Sequence, residues 1–410
     1  MSTRNIVGPI PEPEELYGRE ELVDYIWHQI GGCNILLLAP RRFGKSGVMR
    51  HVLLHPRDGY LPVPLELEDV TTPQEFVWRI TSVLLSNDLL RTALAKARRL
   101  PTAIETWVKD TFDEVEFQGA KAKFKESVGE EWREAATRML LEMENADPTI
   151  IFILDEFPSM IENLIKHDGA QAAEEFLAWF RTVRLEHKDK LRRHRFIVAG
   201  SVGIDTILRK LKCADKFNDF QRIYVEPIAT PAACRLAGDL AEAYEITWNG
   251  QLEAELFSLL GVHVPYFIHL FFSQVGQLPA ETRSKLTVAD IQGIYESRVL
   301  GRTCKDYFEH YRGRLRRLGK PAEKAAIAIL RAVSGSPQGR VSRSALFEVY
   351  SKAHGKGASD AGFDELLGDL EHDFYLVLDA NTNEYHFLVK VMSDWWRRWY
   401  PPSKREGGKP

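Results

Sequence analysis

Leu38-Ala-Pro-Arg-Arg-Phe-Gly-Lys-Ser46 is the stretch on which the reading of this 410-residue chain turns. Directly before it, Asn34-Ile-Leu-Leu-Leu38 is a short, continuous apolar run, the texture of a strand covered on both faces. Directly after it, Lys45 to Leu54 reads as a helix closed by Pro56. A buried strand, a tight loop and a helix opening on Lys-Ser is the context a phosphate-binding loop requires. Backbone N–H groups of such a loop and of the helix start surround phosphate oxygens. The expected phosphate-binding set is Ala39, Pro40, Arg41, Arg42, Phe43, Gly44, Lys45, Ser46 and Gly47. Lys45 would reach the β- and γ-phosphates and Ser46 would hold Mg²⁺. Gly44 lets the backbone approach phosphate with no Cβ in the way. Ala39 stands where the pattern has glycine, which restricts one dihedral and removes no ligand.

Thr149-Ile-Ile-Phe-Ile-Leu-Asp-Glu156 is an apolar strand ending in two acids. A carboxylate at a strand end can bind the metal ion beside a phosphate loop, and Asp155 is that residue. Glu156 would then polarise an attacking water.

Further strands are expected at Leu61–Leu67, Phe196–Ala199 and Arg222–Val225, with helices between. Strands alternating with helices indicate an α/β fold with a parallel sheet. A helix is expected from Glu14 to Ile30, and a mostly helical stretch from Pro73 to Asn145 with a break near Phe117–Gly119. After Pro227 the texture becomes helical, with segments at Thr230–Tyr244, Gln251–Leu260 and Pro265–Val275. Helices at Pro321–Val333, Ser342–Ala353 and Ser359–Asp373, then a hairpin of Tyr375–Leu378 and Tyr385–Val389, give the order of a winged helix-turn-helix. The expected domains are a phosphate-loop domain (1–228), a helical lid (229–305), a winged-helix domain (306–400) and a loose basic tail (401–410).

Four pieces give the chain a family resemblance: Tyr17-Gly-Arg-Glu20, Pro40-Arg-Arg-Phe-Gly-Lys-Ser46, Ile153-Leu-Asp-Glu-Phe157 and Gly261-Val-His-Val-Pro265. Together they resemble the P-loop ATPases of the AAA+/STAND-related group, near the prokaryotic and archaeal-type ATPases and the initiator-type AAA+ proteins. The likeness covers residue 15 to about 275. It implies ATP and Mg²⁺ as cofactors and hydrolysis of ATP as the activity. It places Arg19 by the adenine, Pro265 at the start of a lid helix near the nucleotide, and a sensor residue, Ser201, after the strand Phe196–Ala199. Val262 interrupts the glycine pair that the lid motif usually carries. Ser201 also reads as a capping serine, and Gly-Ser-Val-Gly203 as a fragment of a nucleophile elbow that no oxyanion-loop motif accompanies. Arg181, Arg184, Arg209 and Arg222 are candidates to complete a neighbouring copy's site.

Composition narrows what else the chain can do. Apolar residues make up 44% and charged residues 27%, with a formal net charge of -4. Such a chain buries a core, and no global charge drives it onto nucleic acid or membrane. Four scattered cysteines form no CxxC pair, and His51 and His55 lack the glutamate of a zincin helix. No apolar run approaches the roughly 20 residues a membrane span needs, so no membrane partner is expected and a reducing cytoplasm is the expected compartment. Charge is nevertheless uneven. The stretch 301–344 carries eleven Lys/Arg against three Asp/Glu, centred on Tyr311-Arg-Gly-Arg-Leu-Arg-Arg-Leu-Gly-Lys320. That favours sequence-independent contact with double-stranded DNA. The third helix of the winged element, Ser359–Asp373, is acidic and has no Lys or Arg, which favours a protein client or self-association instead.

Overall fold

The structure, a computed structural model, describes residues 4–86, 112–115, 122–124, 132–143, 148–186, 193–200 and 203–401. Strands are β1 (Asn34–Leu38), β2 (Tyr60–Glu66), β3 (Phe112–Val115), β4 (Ala122–Phe124), β5 (Thr149–Asp155), β6 (His194–Gly200), β7 (Phe220–Tyr224), β8 (Arg340–Ser342), β9 (Leu376–Asp379) and β10 (Glu384–Phe387). The chain divides into two units, one of residues 19–41 and 45–225, the other of residues 1–18, 42–44 and 226–410.

The first unit is built on one parallel sheet in the order β2-β5-β6-β1-β7. Its central strands read as continuous apolar runs because both of their faces are covered. Leu36, Phe152, Leu154, Phe196 and Val198 join a core with the helices Pro73–Ser86, Trp132–Glu142, Phe157–Asp168 and Ala170–Glu186. Their neighbours Ile35, Leu37, Ile151, Ile153 and Ile197 are buried as well, so β1, β5 and β6 lack a solvated face, whereas the edge strands β2 and β7 expose Pro64, Glu66, Gln221, Arg222 and Tyr224. Rings lock the first face: Phe157, Phe180 and Phe217 meet at centroid distances of 5.6–6.3 Å, and Phe180 stands edge-on to Phe196 at 5.2 Å. This is the α/β parallel-sheet fold expected from the strand–helix alternation.

The other unit carries the helices Thr230–Ala243, Gly250–Leu260, Pro265–Val275, Val288–Ile294 and Lys305–Arg314, then Lys320–Gly335, Arg343–His354, Asp360–His372 and Lys390–Trp399. Several are capped as the sequence dictates. The Asn249 side chain accepts from the N–H groups of Gln251 and Leu252 at 2.9 and 3.1 Å, and Thr287 with Asp290 forms a capping box. Strands β8, β10 and β9 form an antiparallel sheet beside the later helices.

Three expectations are corrected. The span from Glu14 to Ile30 is broken into a 3-10 turn at Pro13–Glu15 and a helix at Glu20–Ile30. Gly18 between them has φ 61°, and a Cβ there would lie 2.6 Å from that of Ala232. Among the described residues, the expected helical stretch from Pro73 to Asn145 is helix at Pro73–Ser86 and Trp132–Glu142 and strand at β3 and β4. β3 and β4 pair as an antiparallel ladder. The break expected at Phe117–Gly119 lies outside the described residues. The hairpin β9–β10 gains a third strand, β8, too short to be read from the sequence.

Candidate nucleotide site

The site is assembled at the carboxyl ends of the parallel strands, where open α/β sheets bind ligands. β1 ends at Leu38, and after six intervening residues the helix Lys45–Leu54 begins with Lys45 and Ser46 in its first turn. In between, Arg42 and Gly44 have φ 73° and 92°, so the chain doubles back through left-handed backbone. Such a turn points consecutive N–H groups the same way, as an anion cradle does. Phe43 is buried at 2% exposure and anchors the loop.

Lys45 is buried at 7% exposure. Its Nζ lies 2.7 Å from Asp155 Oδ1 and 4.0 Å from Glu156 Oε1, across 110 residues of sequence in the first case. The phosphate lysine and both strand-end acids thus occupy one place. Breaking a buried pair leaves an uncompensated charge, at a cost of about 3–5 kcal/mol. Glu156 has φ 53° and ψ 31°, left-handed backbone that a non-glycine residue adopts at some energetic cost. Its N–H donates to Asp155 Oδ1 at 2.9 Å, and Ser159 Oγ donates to Glu156 Oε2 at 3.1 Å. The strained residue is therefore gripped at both ends. The helix Phe157–Asp168 that follows it sits hard against β6. A Cβ on Gly200 would fall 2.2 Å from Cδ and 2.5 Å from Cγ of Pro158.

One residue of the site was missed in the sequence. Glu66 ends β2 and is the register partner of Asp155, and the ladder continues through the Leu67 N–H to the Asp155 carbonyl at 3.1 Å. Partners in register on parallel strands project to the same face. Partial burial, then the charges of Asp155 and Glu156, hold the Glu66 carboxyl above its ordinary pKa, with Lys45 pulling the other way. The signal was an acid one residue before the end of the expected strand Leu61–Leu67, given no role there.

The loop residue Arg42 has its guanidinium 4.8 Å from the ring centroid of Tyr266, next to Pro265. Arg19 is buried at 4% exposure at the start of the helix Glu20–Ile30. Pro265 opens the helix Pro265–Val275 of the other unit. Ser201 lies outside the described residues. Arg184 is no candidate for another copy's site. It is buried, forks onto Asp219 at 2.8 and 3.0 Å, donates to the carbonyls of Phe180 and Lys216, and lies over the rings of Phe180 and Phe220. Its role is to fasten the helix Ala170–Glu186 to the start of β7. Arg222 forks onto Asp205 at 2.8 and 2.7 Å, and Arg181 reaches Asp215 at 3.3 Å. The rings of His51 and His55 lie 4.7 Å apart, and no group of three or more His, Cys, Asp or Glu fit for a metal ion occurs among the described residues.

The basic run is only partly outward. Arg312 is half-buried, its guanidinium 4.9 Å from the Tyr400 ring centroid. The Asp373 carboxyl, raised to about 6 by burial, feels the opposing pull of Arg314 and Arg317. Arg316, Arg317, Lys320 and Lys324 are exposed. On the acidic third helix, Asp364 is paired with Arg343, and Asp379 of β9 holds Arg340 at 2.7 Å. Among the described residues no helix is long and apolar enough to cross a membrane.

No protein-family model matches the sequence, and no curated protein does. Among solved structures, the chain is similar to a Walker-type ATPase of Pyrococcus abyssi, with a TM-score of 0.64 and 16% identity over 96% of this chain and 99% of that one. It also aligns with the ORC2 protein of Aeropyrum pernix in its ADPNP-ADP complexes (TM-score 0.49, 12% identity, 96% of each chain). A third alignment is with Cdc6p of Pyrobaculum aerophilum (TM-score 0.37, 12% identity, 95% and 96%). At such identity the first likeness is one of fold. The fold is that of a P-loop ATPase.

Proposed function

We propose that this chain is an AAA+/STAND-type regulatory ATPase that binds ATP with Mg²⁺ and transfers its terminal phosphoryl group to water. The observation that carries this reading is the Lys45 ammonium, buried and 2.7 Å from Asp155, with Glu156 beside it at the carboxyl end of the sheet. A buried lysine facing two acids at the end of a left-handed loop fits a polyphosphate with its metal ion. Anion and cation would each find a partner of opposite sign already in place. Residues 39–47 would cradle the phosphates through backbone N–H groups. Lys45 would offset the charge that builds on the transferring group, and Ser46 and Asp155 would hold the metal. Mg²⁺, when bound, supplies charge neutralisation between the phosphates. Glu156, steadied by Ser159, would accept the proton of the attacking water. Ser201 as sensor, Arg19 near the adenine and Pro265 in a lid belong to the same proposal. So do the domain limits 1–228, 229–305 and 306–400, the winged-helix character of the last of these, and a cytoplasmic location.

The Pyrococcus abyssi neighbour is described as a Walker-type ATPase, which supports the reading. Titration with a fluorescent ATP analogue tests it. Lys45→Ala should weaken binding strongly, because it removes the cation of the phosphate cradle. Equal affinity in parent and variant defeats the assignment.

For the partner, the exposed cations at Arg316, Arg317, Lys320 and Lys324 support weak, sequence-independent contact with double-stranded DNA. A second reading is a nucleotide-switched signalling or scaffold protein whose winged helix binds a protein client or another copy. The third helix favours it, since Asp360, Asp364 and Glu365 are exposed there and Arg343 is already engaged by Asp364. ATPase turnover raised by DNA supports the first reading. Turnover indifferent to DNA, with ATP-dependent assembly, supports the second.

A further inference from the structure

The last helix, Lys390–Trp399, does not finish the element that precedes it in sequence. It follows the hairpin β9–β10 and packs beneath it through Phe387 and Trp396, 6.3 Å apart, and also against the helix Lys320–Gly335. Its polar bonds run elsewhere, to the segment 295–309 nearly one hundred positions earlier. That segment begins with a π-helical turn, Tyr295–Val299, a rare backbone form in which one turn carries an extra residue. Tyr295, buried at 1% exposure, donates its hydroxyl to Asp394 Oδ2 at 2.8 Å. Asp394 is itself buried and also accepts from Lys390 and Arg397, each at 2.6 Å. Arg398 donates to the Glu296 carbonyl at 2.8 Å, Trp399 Nε1 to the Leu300 carbonyl at 3.0 Å, and the Tyr400 hydroxyl to Glu309 at 2.8 Å. Trp395, fully buried, stacks on Phe308 at 5.6 Å, and Phe308 stacks on Phe267 at 5.7 Å. At the helix start, Gly261 leaves room for Lys390, whose Cβ lies 2.7 Å from where a Cβ on the glycine would be.

We propose that the terminal segment Lys390–Tyr400 is a clasp that fastens residues 320–387 to the helices of 230–314, so that the two move as one body. The usual expectation runs the other way. Consecutive subdomains joined by a short turn, here Leu315–Gly319, swing on it unless a large apolar contact holds them. The chain supplies that contact by returning after the hairpin, with two buried tryptophans and an aspartate satisfied by three donors. The π turn points the Tyr295 hydroxyl and the carbonyls of Glu296 and Leu300 at the returning helix. Any rotation of the helices 230–314 therefore carries the exposed cations Arg316, Arg317 and Lys320 with it, undamped. The inference concerns one unit of the protein and stands apart from the nucleotide reading.

Distance measurement between spin labels in the full chain tests it. Labels go on Ser258→Cys, exposed on the helix Gly250–Leu260, and on Asn381→Cys, exposed at the hairpin tip, with Cys33→Ser and Cys234→Ser removing the two half-buried native thiols. The clasped protein gives a single narrow distribution. Tyr295→Phe with Asp394→Asn removes the buried pin and should cost that narrow peak while the helical circular dichroism stays at the parent's level. Should that pair lose its helical signal, Arg398→Gln with Trp399→Phe removes the two carbonyl bonds at the helix end and the Arg398–Glu296 ion pair at 3.2 Å, and the same broadening is expected. A broad or split distribution in the clasped protein, or a narrow peak that survives in a folded variant, overturns the proposal.

Discussion

Gly200→Ala probes the candidate site without touching any residue that would meet ATP. A Cβ there would come within 2.2 Å of Pro158 Cδ and 2.5 Å of Cγ. Carbon pairs settle at about 3.5–4.0 Å, so the contact is short by roughly 1.3 Å or more. The proline ring cannot rotate away, and Pro158 lies in the first turn of the helix Phe157–Asp168. Either that turn or the end of β6 must shift by about the shortfall. Overpacking of this kind costs about 1–3 kcal/mol. In a unit of 150–250 residues that lowers Tm by about 2–4 °C per kcal/mol, hence by roughly 4–8 °C at mid-range. Glu156 directly precedes the displaced turn and already holds left-handed backbone. A misplacement of about 1 Å in a reacting group can cost 10²-fold in rate. Calorimetry and steady-state ATP turnover on parent and variant are the assays. A variant that melts with the parent and turns over at the parental rate would refute the claim that the Pro158–Gly200 contact sets the position of Glu156.

Two further outcomes are expected. Ile6 N–H donates to His269 Nδ1 at 3.2 Å, and burial depresses this histidine to about 4, with Glu15 opposing. The unfolded chain then binds the extra proton first, so the stability tied to the neutral ring is present above about pH 6.5 and is lost as pH falls toward about 4, to the extent of about 3 kcal/mol. Urea unfolding at several pH values should show that slope, and His269→Gln should flatten it; equal slopes in the two proteins count against it. On DNA, replacing Arg316, Arg317, Lys320 and Lys324 with glutamine should abolish binding, each lost phosphate contact lowering the salt slope by about 0.9. Gel shifts at two salt concentrations decide, and binding that survives the change places the DNA surface elsewhere.

What the sequence disclosed and what it hid divide along physical lines. β1 and the helix Lys45–Leu54 begin and end where the apolar run and the Lys-Ser start put them, because their limits are set by local chemistry. The meeting of Lys45 with Asp155 was expected from two motifs in sequence order. Glu66 was not, because its place beside Asp155 comes from β2 pairing with β5 at the sheet edge, a fact of topology. Arg184 illustrates the opposite error. On a helical wheel it is one more cation, and only the fold brings Asp219, 35 residues on, and three aromatic rings around it. Arg312 likewise reads as part of a basic surface until Tyr400 is seen covering it. The strands β3 and β4, four and three residues long, were lost inside a stretch read as helical.

The central claim is that Glu156 and Lys45 belong to one hydrolytic site, and the most direct measurement is ATP turnover with Mg²⁺ beside ATP binding, in the parent and in Glu156→Gln. Amide and carboxylate share a shape, and Ser159 can still donate to the remaining oxygen, so binding should be unchanged. The acceptor for the water proton is gone, so turnover should fall by roughly 10²–10⁴. A variant that hydrolyses ATP at the parental rate, or a parent that does not bind ATP, would contradict the account.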